Sequence, residues 1–453
     1  MKLISALRLD NASRVAFVGS GGKTTALSQI AAEWNNPCII STTTHLGEWQ
    51  RTIADQHLVI ENLDDWGKLR LIQEGSVLVT GLQEGTRLNG LKSPEIMHCL
   101  EICEEKQIPL FLECDGSRQL PLKFPKNDEP IVPPFVDTVV VTCGLSGLNQ
   151  PLDSGSTYQA DLFSKYSGIE TGQMITIAGL IEVLSHPNGG LKNIPKHARK
   201  ILLLNQADTA TLQAKAGEIA EGLKNRFDSV VVSSLIHHEI HSVLEPTAAI
   251  ILAAGSSSRF GEIKQLLKFK EVPFINSLIS SAVMAGLTPI LIITGSDHEQ
   301  VSESLIDHNK DITIVNNPDW QQGQSTSIRV GINELEQQVH DGKIGTQTEP
   351  LPCSVIFLLA DQPQVGPSLL EALADMHAHS LLPVIAPLVD GKRANPVLFD
   401  KVTFPFLKDL HGDVGGRGIF HKFPPSYLPW NDHSILLDVD TTEDYSRLLN
   451  ETN

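Results

Sequence analysis

Short apolar runs alternate along the chain with longer stretches whose apolar residues recur every three or four positions. The runs have the length of strands, and the stretches have the spacing of helices with one buried face. In the first half, residues 15–18, 38–42, 77–80, 110–114, 138–142, 201–204 and 230–233 read as strands, and 24–34, 94–106 and 211–227 as helices. In the second half, 249–252, 290–293, 313–315, 355–359 and 384–387 read as strands. Residues 265–285 and 367–377 read as largely helical, the latter with Pro367 at a first helical position, and 337–352 as a polar surface loop. Such alternation predicts parallel sheets with helices on their faces. The rhythm breaks after residue 233, in a segment with Pro246 near its end, and a new strand opens at Ala248. The expected fold class is α/β in two domains, 1–240 and 247–453, each opening with a strand, a glycine-rich turn and a helix.

Length supports two domains, because 453 residues exceed the ~250–300 at which single cores stop growing. The formal charge of −18 repels polyanions, and no basic patch offsets it, so neither nucleic acid nor an anionic membrane is an expected partner. No apolar stretch has the length of a membrane span and the N-terminus lacks a signal-peptide pattern, so a cytoplasmic protein is expected. The six cysteines are scattered, mostly in apolar runs, and read as buried thiols. Cys99 and Cys103 share a helical face, but no second pair completes a zinc site. His237-His238-Glu239-Ile240-His241 misses HExxH by one residue and reads as a solvated linker.

Candidate chemistry begins where strand 249–252 runs into Leu252-Ala253-Ala254-Gly255, three serines, Arg259, Phe260, Gly261 and Lys264. Gly255 and the serines let backbone amides approach phosphate oxygens. A bend at Gly261 would bring Arg259 and Lys264 onto one anion. A guanidinium fork and a compact ammonium suit a leaving pyrophosphate and the charge growing on an α-phosphate. Farther on, the apolar run 356–359 ends at Asp361, on the sheet edge where ligands bind in open α/β folds. A carboxylate there suits Mg²⁺ held against a triphosphate.

With Asn317-Pro318-Asp319-Trp320, Gly323, Ser327, Asn395-Pro396, His411-Gly412-Asp413 and Asp438-Val439-Asp440, these residues resemble the molybdenum cofactor nucleotidyltransferases. Within them they are most similar to the cytidylyltransferase, MocA-type branch, over about 248–449. The resemblance implies a Rossmann-like, GT-A-like domain in which the terminal phosphate of molybdopterin attacks the α-phosphorus of CTP and pyrophosphate leaves. Ala253-Ala254 stands where the guanylyltransferase branch has a second glycine, which favours CTP. Carried over, Arg259, Lys264 and Asp361 are catalytic. Leu252, Ala253, Ala254, Gly255, Ser257, Gly323 and Ser327 join Arg259 and Lys264 around the nucleotide. Asp361 holds the metal, and Asp440 is either a second metal contact or a strand-end cap.

In the first half, strand 15–18 opens into Gly19-Ser20-Gly21-Gly22-Lys23-Thr24-Thr25, which nearly matches a P-loop. The spacing departs, since the first glycine of GxxxxGK[ST] would fall at Phe17. GxGxxG fits Gly19 and Gly21 but needs glycine at Thr24. Glu113 and Asp115 either sit on the Mg²⁺ side of such a loop or close a strand into a turn. Asn205-Gln206-Ala207-Asp208 resembles the guanine-reading NKxD, with Gln206 in place of lysine. Thr42-Thr43-Thr44-His45 is either a switch-like segment or a strand end. The expected nucleotide site is thus Gly19, Gly21, Gly22, Lys23, Thr24, Thr25, Asp115, Asn205 and Asp208. Taken in order, GSGGKTT, STTTH, ECDGSRQLPLKFP, GLSGL, HPNGGLK and LLLNQADT resemble the YqeC-like accessory proteins of selenium-dependent molybdenum hydroxylases.

The expected function is a Mg²⁺-dependent transfer of CMP from CTP to a molybdopterin-type cofactor, fused to a nucleotide-binding domain and serving a molybdenum hydroxylase apo-enzyme. Two alternatives stand beside it: a transferase using GTP or another triphosphate and acceptor, and a carrier that inserts cofactor without turnover.

Overall fold

The computed structural model describes residues 1–255, 260, 262–305, 312–340 and 352–451. Ser257 and Arg259 of the expected nucleotide site lie outside the described residues, as does most of the expected loop 337–352. The chain divides into two compact units, Met1–Leu244 and Glu245–Asn453.

In the first unit, β1 (Arg14–Gly19), β2 (Cys38–Thr42), β3 (Gln56–Val59), β4 (Ser76–Thr80), β5 (Leu110–Glu113), β6 (Thr138–Gly144), β7 (Arg199–Asn205), β8 (Ser229–Ser234) and β9 (Glu239–Leu244) form one nine-stranded sheet. Their order is β9-β8-β7-β6-β1-β5-β2-β4-β3. Every pair is parallel except β8 with β9. β1, β2, β5 and β6 are almost wholly buried, which is why they read as continuous apolar runs rather than alternating ones. β1 lies between β5 and β6, so the crevice beyond its C-terminal end is where an open α/β sheet receives a ligand. The helix Lys23–Glu33 starts there and packs Ala26, Leu27 and Ile30 against the sheet.

In the second unit, β10 (Thr247–Ala253), β11 (Ile290–Thr294), β12 (Ile312–Asn316), β13 (Ser354–Leu359), β14 (Val384–Val389), β15 (Lys392–Arg393), β16 (Val397–Asp400) and β17 (Ser426–Pro429) share a sheet. The order is β12-β11-β10-β13-β16-β14-β15, with β17 beside β14. β10 to β13 are parallel, whereas β16 runs antiparallel to both β13 and β14. This sheet is therefore mixed rather than parallel.

Three expectations need correction. Residues 265–285 are not one helix: a 3-10 turn, Lys264–Leu266, and a small hairpin precede the helix Phe274–Met284. Lys270 and Glu271 take positive φ at the hairpin tip and Pro273 cannot extend a helix backwards, so the helix starts after it. The polar segment from 337 is helical at first, because the helix Gln324–His340 runs through it. The supposed linker at His237–His241 is a 3-10 turn followed by β9, which buries Ile240 and Val243. A bulge between Val232 and Ser233 shifts the β8–β9 register.

Candidate functional site

β10 and β13 lie side by side and end together, with the Ala360 amide donating to the Leu252 carbonyl at 3.2 Å. Beyond them opens a cleft of about 570 Å³ lined by Leu252, Ala254, Gly255, Lys264, Gly323, Ser327 and Asp361, with Ala253 buried just behind and Asp440 outside the lining. Gln265, buried, donates its amide to the carbonyls of Ala253 (3.1 Å) and Gly255 (3.2 Å) and so fixes the exit of the strand. Gly323 takes φ +107, and a Cβ there would lie 2.6 Å from the Asp413 backbone, which also borders the cleft. Ser327 is buried and receives a hydrogen bond from Asn317 at 2.9 Å, so its hydroxyl is partly committed to the fold.

The electrostatics centre on Asp361. Its Oδ1 is buried without a hydrogen-bond partner. Burial first, then the neighbouring Asp438, pushes its carboxyl up to about 6; Lys264 opposes the shift and Asp440 adds to it. The segment 438–440 is held beside Asp361 by the Val439 amide, which donates to the Asp361 carbonyl at 3.2 Å, and by Gln362, which donates to Asp438 at 2.6 Å. Asp440 itself is exposed and pairs with Lys264 at 2.7 Å. Asp444 accepts the Asp440 and Thr441 amides and makes the turn that the DVDTTED sequence encodes. Asp438, which sequence reasoning passed over in favour of Asp440, is the carboxylate with the stronger effect on Asp361. Among the described residues no three His, Cys, Asp or Glu side chains group to hold a metal by themselves. A closed-off carboxylate oxygen with a second carboxylate nearby still fits Mg²⁺, which takes one or two carboxylates and completes its shell with phosphate oxygens and water.

A second constellation sits at the C-terminal end of β1. Gly22 has φ +143, and a Cβ there would meet the Asn205 amide nitrogen at 2.2 Å, so only glycine fits. Asn205 donates to the Gly21 carbonyl at 2.8 Å and accepts the Leu235 amide at 3.0 Å. It therefore clamps the glycine loop rather than standing free to read a base. Asp208 lies at the same sheet end, exposed, with one oxygen taken by Ser234. Thr24 donates to Glu113 at 3.1 Å and accepts from Gln50 at 2.6 Å, while Thr25 is exposed. Lys23 is buried, donates to the Gly19 carbonyl at 2.7 Å and lies 3.2 Å from Asp115. Burial alone would lower its ammonium, but Asp115 and Glu113 overturn that and leave it raised. Thr42 spends its hydroxyl on the Glu113 and Thr44 carbonyls, as a strand end does.

Similarity to known proteins follows the division of the chain. Residues 15–161 match the family described as YqeC protein, and 249–426 the family described as MobA-like NTP transferase domain. The N-terminal half is 23% identical over 211 residues to the uncharacterized protein YqeC of Escherichia coli (strain K12), covering 44% of this chain and 80% of that protein. The C-terminal half is 26% identical over 204 residues to the purine catabolism protein PucB of Bacillus subtilis (strain 168), covering 43% of this chain and 92% of that protein. It is 30% identical over 196 residues to the molybdenum cofactor cytidylyltransferase of Escherichia coli (strain K12), covering 43% of this chain and 92% of that protein. The chain is a fusion of a YqeC domain with a MobA-like nucleotidyltransferase domain, and that second half belongs to the family of the molybdenum cofactor cytidylyltransferases.

Proposed function

We propose that the C-terminal domain transfers CMP from CTP to the phosphate of a molybdopterin-type cofactor, with Mg²⁺ and release of pyrophosphate. The observation that carries the reading is the cleft itself, which the strand-end loop, Lys264 and Asp361 line together. Lys264 trades its exposed partner Asp440 for a triphosphate, a stronger anion, and Arg259 is the second cation. Gln265 holds the loop carbonyls, and Asp361 with Asp438 holds the metal. Mg²⁺ bound there supplies charge neutralisation at the α-phosphate. The acceptor phosphate oxygen attacks the α-phosphorus, and the bond to pyrophosphate breaks.

The N-terminal domain, on this reading, binds the phosphates of a nucleotide at Gly19–Thr25, and the fused protein serves maturation of a molybdenum hydroxylase. Support comes from the glycine loop at the strand end and from the relatives of both halves.

The test is to follow pyrophosphate release with each nucleoside triphosphate, Mg²⁺ and molybdopterin. CTP is expected to exceed GTP and ATP by about tenfold or more in kcat/KM, roughly 1.4 kcal/mol of differential transition-state binding. Equal use of GTP would sink the cytidylyl reading and leave the nucleotidyltransferase one standing.

A further inference from the structure

The N-terminal glycine loop turns the Gly19 amide and the Lys23 ammonium toward a carboxylate of its own chain. Asp115 is 1% exposed. Its Oδ2 accepts the Gly19 amide at 3.0 Å and the Lys123 ammonium at 2.7 Å, and its Oδ1 faces Lys23 at 3.2 Å. Oδ1 is buried and has no hydrogen bond. A backbone amide at the strand end and two ammonium groups are the donors that a phosphate group takes at a glycine-rich loop. The surrounding cluster is crowded with charge: Lys23 also lies 3.9 Å from Glu113, and Lys123 also reaches Glu129 at 3.1 Å. Two ammonium groups thus face three carboxylates, all of them largely buried. A bare phosphate added to this cluster would bring more negative charge into a poorly hydrated place already rich in it, at high cost.

We propose that Asp115 occupies the phosphate position of the N-terminal site and that the ligand is a phosphate ester arriving with a divalent cation. The incoming phosphate takes Lys23 from Asp115, and the cation neutralises the carboxylates that lose their lysine. This rests on the phosphate-binding reading of the domain. It changes the role of Asp115 from a ligand-binding group to an internal competitor for Lys23.

ATP binding measured by calorimetry tests this on the full chain, with Lys264→Ala and Asp361→Ala silencing the C-terminal cleft. In that background the parent should bind ATP with Mg²⁺ and lose at least tenfold in affinity when EDTA replaces the metal. Asp115→Asn should bind metal-free ATP at least tenfold more tightly than the parent, and adding Lys23→Ala should remove that gain. Asp115→Ser, which keeps an acceptor without the charge, gives the same comparison should the asparagine variant fold poorly. Metal-free binding that is unchanged or weaker in both Asp115 variants would overturn the proposal while leaving the site a phosphate site. Absence of binding by parent and variants alike, with Mg²⁺ present, would overturn the phosphate-binding reading itself.

Discussion

Asp361 and Lys264 are placed by different means, and their variants should fail differently. Asp361 lies just beyond a buried strand, and its Oδ1 is buried with no hydrogen-bond partner among the described residues. Asp361→Asn should lower metal-dependent pyrophosphate release by about a hundredfold or more, the scale of removing a preorganised charge from a transition state. Lys264 should matter mainly for holding triphosphate. Lys264→Ala removes one charge-assisted contact, roughly 1.5–3 kcal/mol, and should lower kcat/KM for CTP about tenfold or more. The pair Asp438 and Asp440 separates two roles. Asp438 acts on Asp361 more strongly, whereas Asp440 is exposed and bound to Lys264. Asp438→Asn should therefore raise the Mg²⁺ concentration needed for half-maximal rate more than Asp440→Asn does. The reverse ranking would make Asp440 the metal contact and its pairing with Lys264 a feature of the empty cleft. The places of Asp361 and Lys264 in the cleft were legible from the strand ends that precede them. Asp438 was not, because its approach to Asp361 depends on Gln362 reaching a residue 76 positions away.

At the level of elements, strands of continuous apolar residues were readable and elements shaped by turns were not. β2 spans the expected Cys38–Thr42, since no turn residue intrudes on it. The stretch 265–285 reads as largely helical, yet a 3-10 turn and a hairpin precede its helix, and the hairpin's tip residues take positive φ without a glycine to signal it. β9 was hidden by its histidines and by the register shift against β8 at His241, which together disguise a half-buried edge strand. Glycines offer a direct test of such local geometry. Gly22 has positive φ and no room for a Cβ against Asn205, whereas Gly217 lies in the helix Ala210–Leu223 with nothing within 4 Å of a Cβ. Gly22→Ala should lower the stability of the first unit by about 1–3 kcal/mol, and Gly217→Ala should raise it by roughly 0.5–1 kcal/mol. Urea unfolding of the two variants checks both signs. Equal midpoints would mean that the glycine loop shifts freely to accept a side chain.

On the scale of the whole molecule, each unit carries a core of its own, and the thiols report on both. All six cysteines are buried, and burial pushes those at 38, 103 and 143 up to about 12. A thiol reagent at pH 8 should therefore label none of the six within minutes in the native protein and all of them in denaturant. Fast labelling of the native chain would reveal opening of a core. The first unit also makes a sharper claim about where it ends. Its sheet closes at β9, which covers β8, a strand buried at every position. Cutting the chain after residue 238 removes Ile240 and Val243 from the core, each worth about 1.5–3 kcal/mol when fully buried. It also leaves the backbone groups of β8 unpaired at an open edge, which costs stability and invites association. Fragment 1–244 should therefore be more stable in urea unfolding than fragment 1–238 by at least about 2 kcal/mol and stay monomeric at concentrations where the shorter piece aggregates. Fragment 245–453 begins just before β10 and keeps the described residues of the cleft, so it should retain cytidylyl transfer at near the rate of the full chain. If the two N-terminal fragments share one midpoint, β9 is a fringe of the sheet rather than its closing strand. The unit then ends at β8, and the turn with its three histidines is the linker that its polarity suggests.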